Sequence, residues 1–255
     1  MSLQHGSEDP YLNSSGVLLN KLGITDEAKL AQAEADISAV QVARLSDGKH
    51  IPGKYDLPHL QKFHKFIFGD IYPWAGEIRT VNIYKERHFA FVHAIPGYSE
   101  QVFGDLKKAN FLKGRGREEF TAGLVKTYCD INALHPFREG NGRSQRAFLS
   151  QLARDAGYDI QWSRMDAKRN IETSVLVESG KAKEEEAYGA LLGPLITPLK
   201  KDESKSKSKS AMKIAKSSAN KKPKPGASEG RKSTKDAASS RKPKNSLKKD
   251  GGRKK

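Results

Sequence analysis

Residues 135–146 read His-Pro-Phe-Arg-Glu-Gly-Asn-Gly-Arg-Ser-Gln-Arg and lie between two segments whose apolar residues recur at helical spacing. The second segment begins within this stretch, so its glycines and arginines should open a helix. The first N–H groups of a helix have no intrahelical partner, and glycines let an anion approach them closely. The stretch therefore predicts two helices joined by a loop that binds phosphate.

The side chains of this loop indicate the chemistry of a nucleotide site. Arg143 and Arg146 are three positions apart, which predicts one helix face from which both can reach the same anion. Glu139 can bind Mg²⁺ beside a polyphosphate. His135 is the group here whose ordinary pKa, about 6.5, suits a general base at neutral pH. Phe137 is expected to point into the core.

Helical spacing dominates the rest of the chain up to residue 199. It predicts helices over residues 25–45, 57–68, 98–111, 118–131, 144–155, 166–179 and 183–192, the first of them capped by Thr25. Residues 78–91 alternate more like a strand, which predicts a small β-hairpin with its turn at residues 85–87. The expected fold class is mainly α, with one small β-hairpin.

The composition of the chain changes at residue 200. Residues 200–255 hold 21 Lys and Arg against 5 Asp and Glu, so they carry the entire formal charge of +16. Without aromatic residues, this segment cannot bury enough apolar area to offset its ordering entropy. We predict a folded domain over residues 1–199 and a disordered basic tail over 200–255. The tail favours sequence-independent contact with DNA phosphates, with a solubilising role or a translocation signal as alternatives.

The apolar segments and the cysteine content of the chain indicate its cellular compartment. No stretch approaches about 18 apolar residues and the first residues are polar, so neither a transmembrane helix nor a signal peptide is expected. The single cysteine, Cys129, excludes an internal disulfide and is expected to be a buried hydrophobe. His59 and His64 are five apart, which does not fit a zinc pair. We expect a cytoplasmic protein without a membrane partner.

The loop resembles the signature of the Fic family, His-Pro-Phe-x-Asp/Glu-Gly-Asn-Gly-Arg-x-x-Arg, with every fixed position present. Residues 69–79 (Gly-Asp-Ile-Tyr-Pro-Trp-Ala-Gly-Glu-Ile-Arg) and 89–95 (Phe-Ala-Phe-Val-His-Ala-Ile) look like the family's segments leading into and through a flap hairpin. The similarity covers roughly residues 8–195. It implies a Fic/Fido-like helical domain with a β-hairpin flap.

This resemblance implies a protein adenylyltransferase that moves AMP from Mg·ATP to a Tyr, Thr or Ser hydroxyl of a target protein. His135 would deprotonate the hydroxyl, and Glu139 would bind Mg²⁺. The phosphates would be bound by Gly140, Asn141, Gly142, Arg143 and Arg146. The flap would bind the target by strand addition through Ile83, Tyr84, Lys85, Phe89 and Phe91. Family kinases carry Lys at the position of Gly142, so AMP transfer is favoured.

The resemblance also implies partners. Bacterial Fic toxins of toxin–antitoxin pairs act on the ATPase subunits of DNA gyrase and topoisomerase IV. Such enzymes are silenced by a helix with Ser/Thr-x-x-x-Glu-Gly/Asn, whose Glu would pair with Arg146. Residues 174–179 match this pattern only in part, so a separate small helical antitoxin is expected. The alternatives are a nucleic-acid-binding protein whose domain only binds nucleotide, and a host-directed effector with the same chemistry.

Overall fold

Helices build most of the molecule in the computed structural model, which describes residues 9–84 and 89–199. The helices are α1 (Glu27–Ser46), α2 (Leu57–Phe68), α3 (Ile95–Lys108), α4 (Arg117–Leu134), α5 (Asn141–Ala156), α6 (Ala167–Glu178) and α7 (Glu184–Leu192). The strands are β1 (Tyr158–Ile160) and β2 (Ile196–Pro198). The mainly α fold class is confirmed. The predicted tail, 200–255, lies outside the described residues, as does Lys85.

Aspartate side chains fix where the first two helices begin. Asp26 accepts a hydrogen bond from the N–H of Lys29 at 2.8 Å, and Asp56 accepts one from the N–H of His59 at 2.9 Å. Each bond satisfies a donor that the first turn of a helix leaves unpaired. The N-cap of α1 is thus Asp26, so the predicted cap at Thr25 is wrong by one residue.

Helix α5 lies at the centre of the fold and packs against α1, α2, α4 and β1. Its inner face has no exposed surface and consists of Phe148, Leu149, Leu152 and Ala153. Full burial of a large apolar side chain contributes about 1.5–3 kcal/mol, so this helix is firmly seated. It ends at Gly157 with φ 93°, a left-handed conformation that commonly terminates helices. The loop before α5 therefore has a rigid base.

Helix α4 precedes that loop and carries the only cysteine. Cys129 is buried, which confirms its predicted place in the core. Phe137, in the loop itself, is also fully buried as predicted, and its ring stacks on His64 with centroids 4.0 Å apart. Within the described part of the chain, no helix combines the length and apolarity needed to cross a membrane.

The antiparallel pair lies outside the predicted flap. Strands β1 and β2 pair with Tyr158 opposite Pro198, a pairing that the sequence did not predict. No strand forms within the described residues of 78–91, where only Tyr84 takes part in an isolated β-bridge. The Arg79 side chain instead joins the two arms by binding the carbonyls of Val81 and Ala90. The predicted turn at residues 85–87 lies outside the described residues.

Candidate active site

A cavity of about 850 Å³ opens beside the loop between α4 and α5. Many residues that the sequence predicts for the site line it, namely Ile83, Tyr84, Phe89, His135, Glu139, Asn141, Gly142 and Arg146. Gly140, Arg143 and Phe91 are not among the lining residues of the described chain. The cavity therefore joins the predicted base, the predicted metal ligand, the start of α5 and part of the flap.

Two glycines shape the start of α5. Gly140 caps the helix with φ 80°, and a Cβ there would lie 2.3 Å from the ring of Phe68. Only glycine fits such a left-handed position against an aromatic ring. At Gly142 a Cβ would lie 3.3 Å from a guanidinium nitrogen of Arg146. A side chain at position 142 would therefore crowd the arginine that lines the cavity.

The Asn141 side chain braces the loop from within. Its Oδ1 accepts a hydrogen bond from the N–H of Phe137 at 2.9 Å, and its Nδ2 donates to the carbonyl of Phe137 at 2.7 Å. The amide is thereby committed to the backbone of the loop. A phosphate role for Asn141 therefore rests on its backbone N–H, in the first turn of α5.

The two arginines of α5 have different surroundings. Arg146 is half-buried and lines the cavity, and its guanidinium has no hydrogen-bond or ion-pair partner among the described side chains. Burial lowers its pKa, and the nearby charge of Arg143 adds to this shift. A half-buried cation without a counter-ion is costly, because few groups replace its water. Arg146 is therefore suited to bind an anion that enters the cavity.

Arg143 instead binds helix α1. Its guanidinium donates to Ser38 Oγ at 2.9 Å and to the carboxylate of Glu34, and it lies 4.6 Å from the centroid of the Phe68 ring. Arg143 is not among the described residues that line the cavity, and its contact with the same anion as Arg146 stays a prediction. The carboxylate of Glu34 provides Arg143 with a partner outside the cavity.

His135 adopts an uncommon conformation at the end of α4. It is the C-cap, with φ 42° and ψ 62°, a left-handed conformation that non-glycine residues rarely adopt. Its ring stacks on Phe89 with centroids 3.6 Å apart, and Nδ1 lies 3.2 Å from the carbonyl of Asn132. If Nδ1–H donates to that carbonyl, the lone pair of the ring is on Nε2. This tautomer is the one that a general base needs.

Glu139 is suited to bind magnesium. Its carboxylate is exposed to the cavity, where Oε1 accepts the N–H of Gly140 at 2.8 Å and lies 3.5 Å from Arg143. Mg²⁺ usually binds one or two carboxylates together with substrate phosphates. Within the described ranges no three His, Cys, Asp or Glu side chains cluster as metal ligands. A Mg²⁺ ion at Glu139 would therefore take its other ligands from a nucleotide and water.

Part of the cavity wall was missed from the sequence. Helices α4, α6 and α7 contribute Tyr128, Asn132, Asn170, Ile171, Ser174 and Tyr188. Arg138 is half-buried and binds Asp9 at 2.8 Å. Apart from the partial motif at Ser174, no local pattern marks these residues, because packing of distant helices brings them together. Ser174 begins the partial inhibitory motif, whereas the Glu178 side chain lies outside the described structure.

Comparison with known proteins identifies the chain's relatives. Residues 54–153 match the model of the Fic/DOC family. Protein adenylyltransferase VbhT of Bartonella schoenbuchensis is 41% identical over 177 residues, which span 69% of this chain but only 37% of that protein. The probable protein adenylyltransferase Fic of Salmonella typhimurium is 39% identical over 159 residues, which span 60% of this chain and 76% of that protein.

Solved structures share the fold. The N-terminal Fic domain of a VirB-translocated Bep effector from Bartonella quintana, with bound ADP, superposes with a TM-score of 0.67 at 27% identity, over 74% of this chain and 95% of that one. BepC of Bartonella tribocorum has a TM-score of 0.70 at 24% identity, over 77% and 100%. The Salmonella relative and the shared fold together define the class of Fic domain proteins. The chain belongs to the Fic/DOC family.

Proposed function

We propose that this chain transfers AMP from ATP, with Mg²⁺, to a Tyr, Thr or Ser hydroxyl of a target protein. The observation that carries the proposal is one cavity lined by both His135 and Arg146, together with the first residues of α5. The relatives named protein adenylyltransferases support the reaction, and the ADP in the Bartonella quintana structure supports a nucleotide in the cavity. Glu139 would bind the metal, which neutralises phosphate charge when bound.

The chemistry follows from the groups that meet in the cavity. The hydroxyl proton of the target passes to Nε2 of His135 while the hydroxyl oxygen bonds to the α-phosphorus. The bond from that phosphorus to the β-phosphate oxygen breaks, and pyrophosphate leaves. Arg146 and the first N–H groups of α5 face the phosphates and stabilise their charge in the transition state. Gly142 leaves room for the phosphates beside Arg146.

The flap is proposed to bind the target segment. Ile83, Tyr84 and Phe89 line the cavity next to His135, and Phe91 is 47% exposed on the same segment. A target strand paired along this edge would present its hydroxyl to the imidazole. Lys85 belongs to the proposed flap by sequence and lies outside the described residues.

The experiment that tests the reaction uses ATP labelled at the α- or the γ-phosphate, incubated with cell lysate. We expect label from the α position on protein, and none with His135→Ala. Transfer from the γ position would identify a kinase instead. Absence of both labels would contradict an enzyme and favour a domain that only binds nucleotide.

We propose a bacterial target of the gyrase and topoisomerase IV ATPase type, and inhibition by a small helical antitoxin. The incomplete match of residues 174–179 to the inhibitory pattern supports an inhibitory carboxylate supplied in trans. A peptide with the Ser/Thr-x-x-x-Glu-Gly/Asn pattern should then block transfer. The VirB-translocated effector among the structural neighbours favours a host protein as the second candidate. Labelling of bacterial against host lysate distinguishes the two.

A further inference from the structure

A single buried guanidinium joins three parts of the catalytic region. The Arg79 side chain is 1% exposed. Its Nε donates to the carbonyl of His135 at 2.9 Å, one terminal nitrogen donates to Val81 O at 2.9 Å, and the other donates to Ala90 O. Val81 and Ala90 lie on the two arms of the flap. One side chain thus links the backbone of the predicted base to both arms.

The positive charge of the buried Arg79 guanidinium is balanced by the carbonyl end of helix α4. Within the described ranges it pairs with no carboxylate, and a buried unpaired cation costs several kcal/mol. Its acceptor at His135 is the C-cap carbonyl of α4, where the helix dipole is negative. Burial lowers the pKa of Arg79, yet a guanidinium remains protonated in proteins. The end of α4 therefore acts as its counter-charge.

Arg79 also fixes the strained conformation of His135. Its backbone N–H donates to the carbonyl of Pro136 at 2.9 Å, so Arg79 binds two successive carbonyls around the left-handed residue. A non-glycine residue in this region costs roughly 1–3 kcal/mol and persists only where its surroundings impose it. The N–H of Ala90 adds a bond to Ala133 O at 2.9 Å. The flap and the end of α4 are thereby tied together.

We propose that Arg79 is a positioning residue for the transfer reaction. It sets the imidazole of His135 and the target-binding flap in one geometry, and so aligns the target hydroxyl with its base. This inference rests on the proposed function. Arg79 makes no hydrogen bond to residues 140–146 within the described structure. Nucleotide binding at the start of α5 should therefore not depend on it.

The test compares Arg79→Ala and Arg79→Lys with the full-length wild type. We expect kcat/KM for a labelled target to fall about 100-fold, with KM for the target raised, since a displacement of about 1 Å can have that effect. The dissociation constant for ADP, measured by calorimetry, should change little. Lysine keeps the charge but lacks the fork that reaches three carbonyls, so it should not restore the rate. Added guanidinium should partly rescue Arg79→Ala.

Arg117→Ala is the matched control. Arg117 also donates to backbone carbonyls, those of Gly193 and Ile196, but does so away from the cavity. Its loss should lower stability and leave kcat/KM per folded molecule unchanged. If Arg79→Ala cannot be purified folded, Arg79→Lys carries the same comparison.

Two results would overturn the role of Arg79. One is a normal kcat/KM in the Arg79 variants, and the other is a loss of ADP affinity in proportion to the loss of rate. If the wild type itself transfers no AMP, the proposed function fails independently. Hydrogen exchange then tests the linkage alone. Faster amide exchange at residues 89–91 and 133–135 in Arg79→Lys supports it, and unchanged exchange overturns it.

Discussion

His64 lies under the catalytic loop with both ring nitrogens bonded to the backbone. Nδ1 accepts the N–H of Gly76 at 2.8 Å, and Nε2 lies 2.8 Å from the carbonyl of Glu139. Because Nδ1 accepts, Nε2 carries the proton, and the ring is a neutral imidazole. Burial lowers the pKa of His64 to about 4. His64 thus supports the loop without being able to take a second proton near neutral pH.

This pKa predicts a loss of stability in acid. Between pH 6.5 and 4 the unfolded chain binds a proton at His64 that the folded chain does not. The free energy of unfolding therefore falls as the pH decreases through that window, by up to about 3 kcal/mol. His64→Gln, which cannot titrate, should flatten the slope. Urea unfolding at several pH values across the window measures it.

His59 provides a matched comparison for His64. Its Nδ1 accepts the N–H of Tyr55 at 3.0 Å, its Nε2 lies 2.8 Å from Ile51 O, and burial lowers its pKa as well. His59→Gln should therefore reduce the acid slope in the same direction, and the double variant should reduce it most. An unchanged slope in the double variant would contradict the neutral, buried state of both rings. Neither ring belongs to a metal cluster of the described residues.

At the scale of elements, helix α5 presents one arginine to the cavity and the other to α1. Arg146→Ala should weaken ATP binding by about 10- to 100-fold, since a hydrogen bond to a charged group contributes about 1.5–3 kcal/mol. Arg143→Ala should weaken it less. Its larger effect should be on stability, because Glu34 would lose its cation while still bonded to Tyr72.

Calorimetry with ATP in a His135→Ala background measures both affinities without turnover. Thermal unfolding of the same proteins measures stability. Glu34→Gln is the control for Arg143, since it removes the ion pair and leaves the arginine in place. Equal losses of ATP affinity in the two arginine variants would show that Arg143 leaves α1 and binds the nucleotide.

Apolar spacing predicts the elements where burial is apolar. The bounds of α2 agree at both ends, because its inner face consists largely of side chains such as Leu60, Phe63 and Ile67. In α1, Leu30 and Leu45 are buried, whereas Val40 is 55% exposed. Glu34 and Ser38 of the same helix are both bonded to Arg143. A polar pair that faces inward to bind a cation leaves no mark in hydrophobic periodicity.

The candidate site likewise has one part that the sequence predicts and another that it does not. The loop residues could be predicted because one short stretch contains them, and the phosphate-binding geometry needs only a helix start and two glycines. The cavity wall formed by α6 and α7 could not be predicted from the sequence. Asn170 and Ser174 reach the cavity only through the packing of these two helices. The described part of residues 78–91 contains no strand, although the sequence alternates there. Arg79 binds a carbonyl on each arm of this segment, a contact that alternation does not reveal.

At the scale of the whole molecule, charge is divided along the sequence. Residues 200–255 carry the entire +16, and residues 1–199 are formally neutral. We therefore propose that any non-specific DNA contact belongs to the tail. Each phosphate neutralised by Lys or Arg releases counter-ions, so affinity should fall steeply and log-linearly with salt. A folded part without net charge offers no such general attraction.

Deletion of residues 200–255 should therefore abolish DNA binding and its salt dependence, measured by fluorescence anisotropy with a duplex of arbitrary sequence. AMP transfer to a target that does not bind DNA should stay unchanged, because the residues that line the cavity lie between 9 and 188. A chain with the tail residues in scrambled order is the control, and it should bind as the wild type does, since phosphate contact needs charge and not sequence. Binding that survives deletion, or that the scrambled tail loses, would assign recognition to the folded domain or to a specific tail motif.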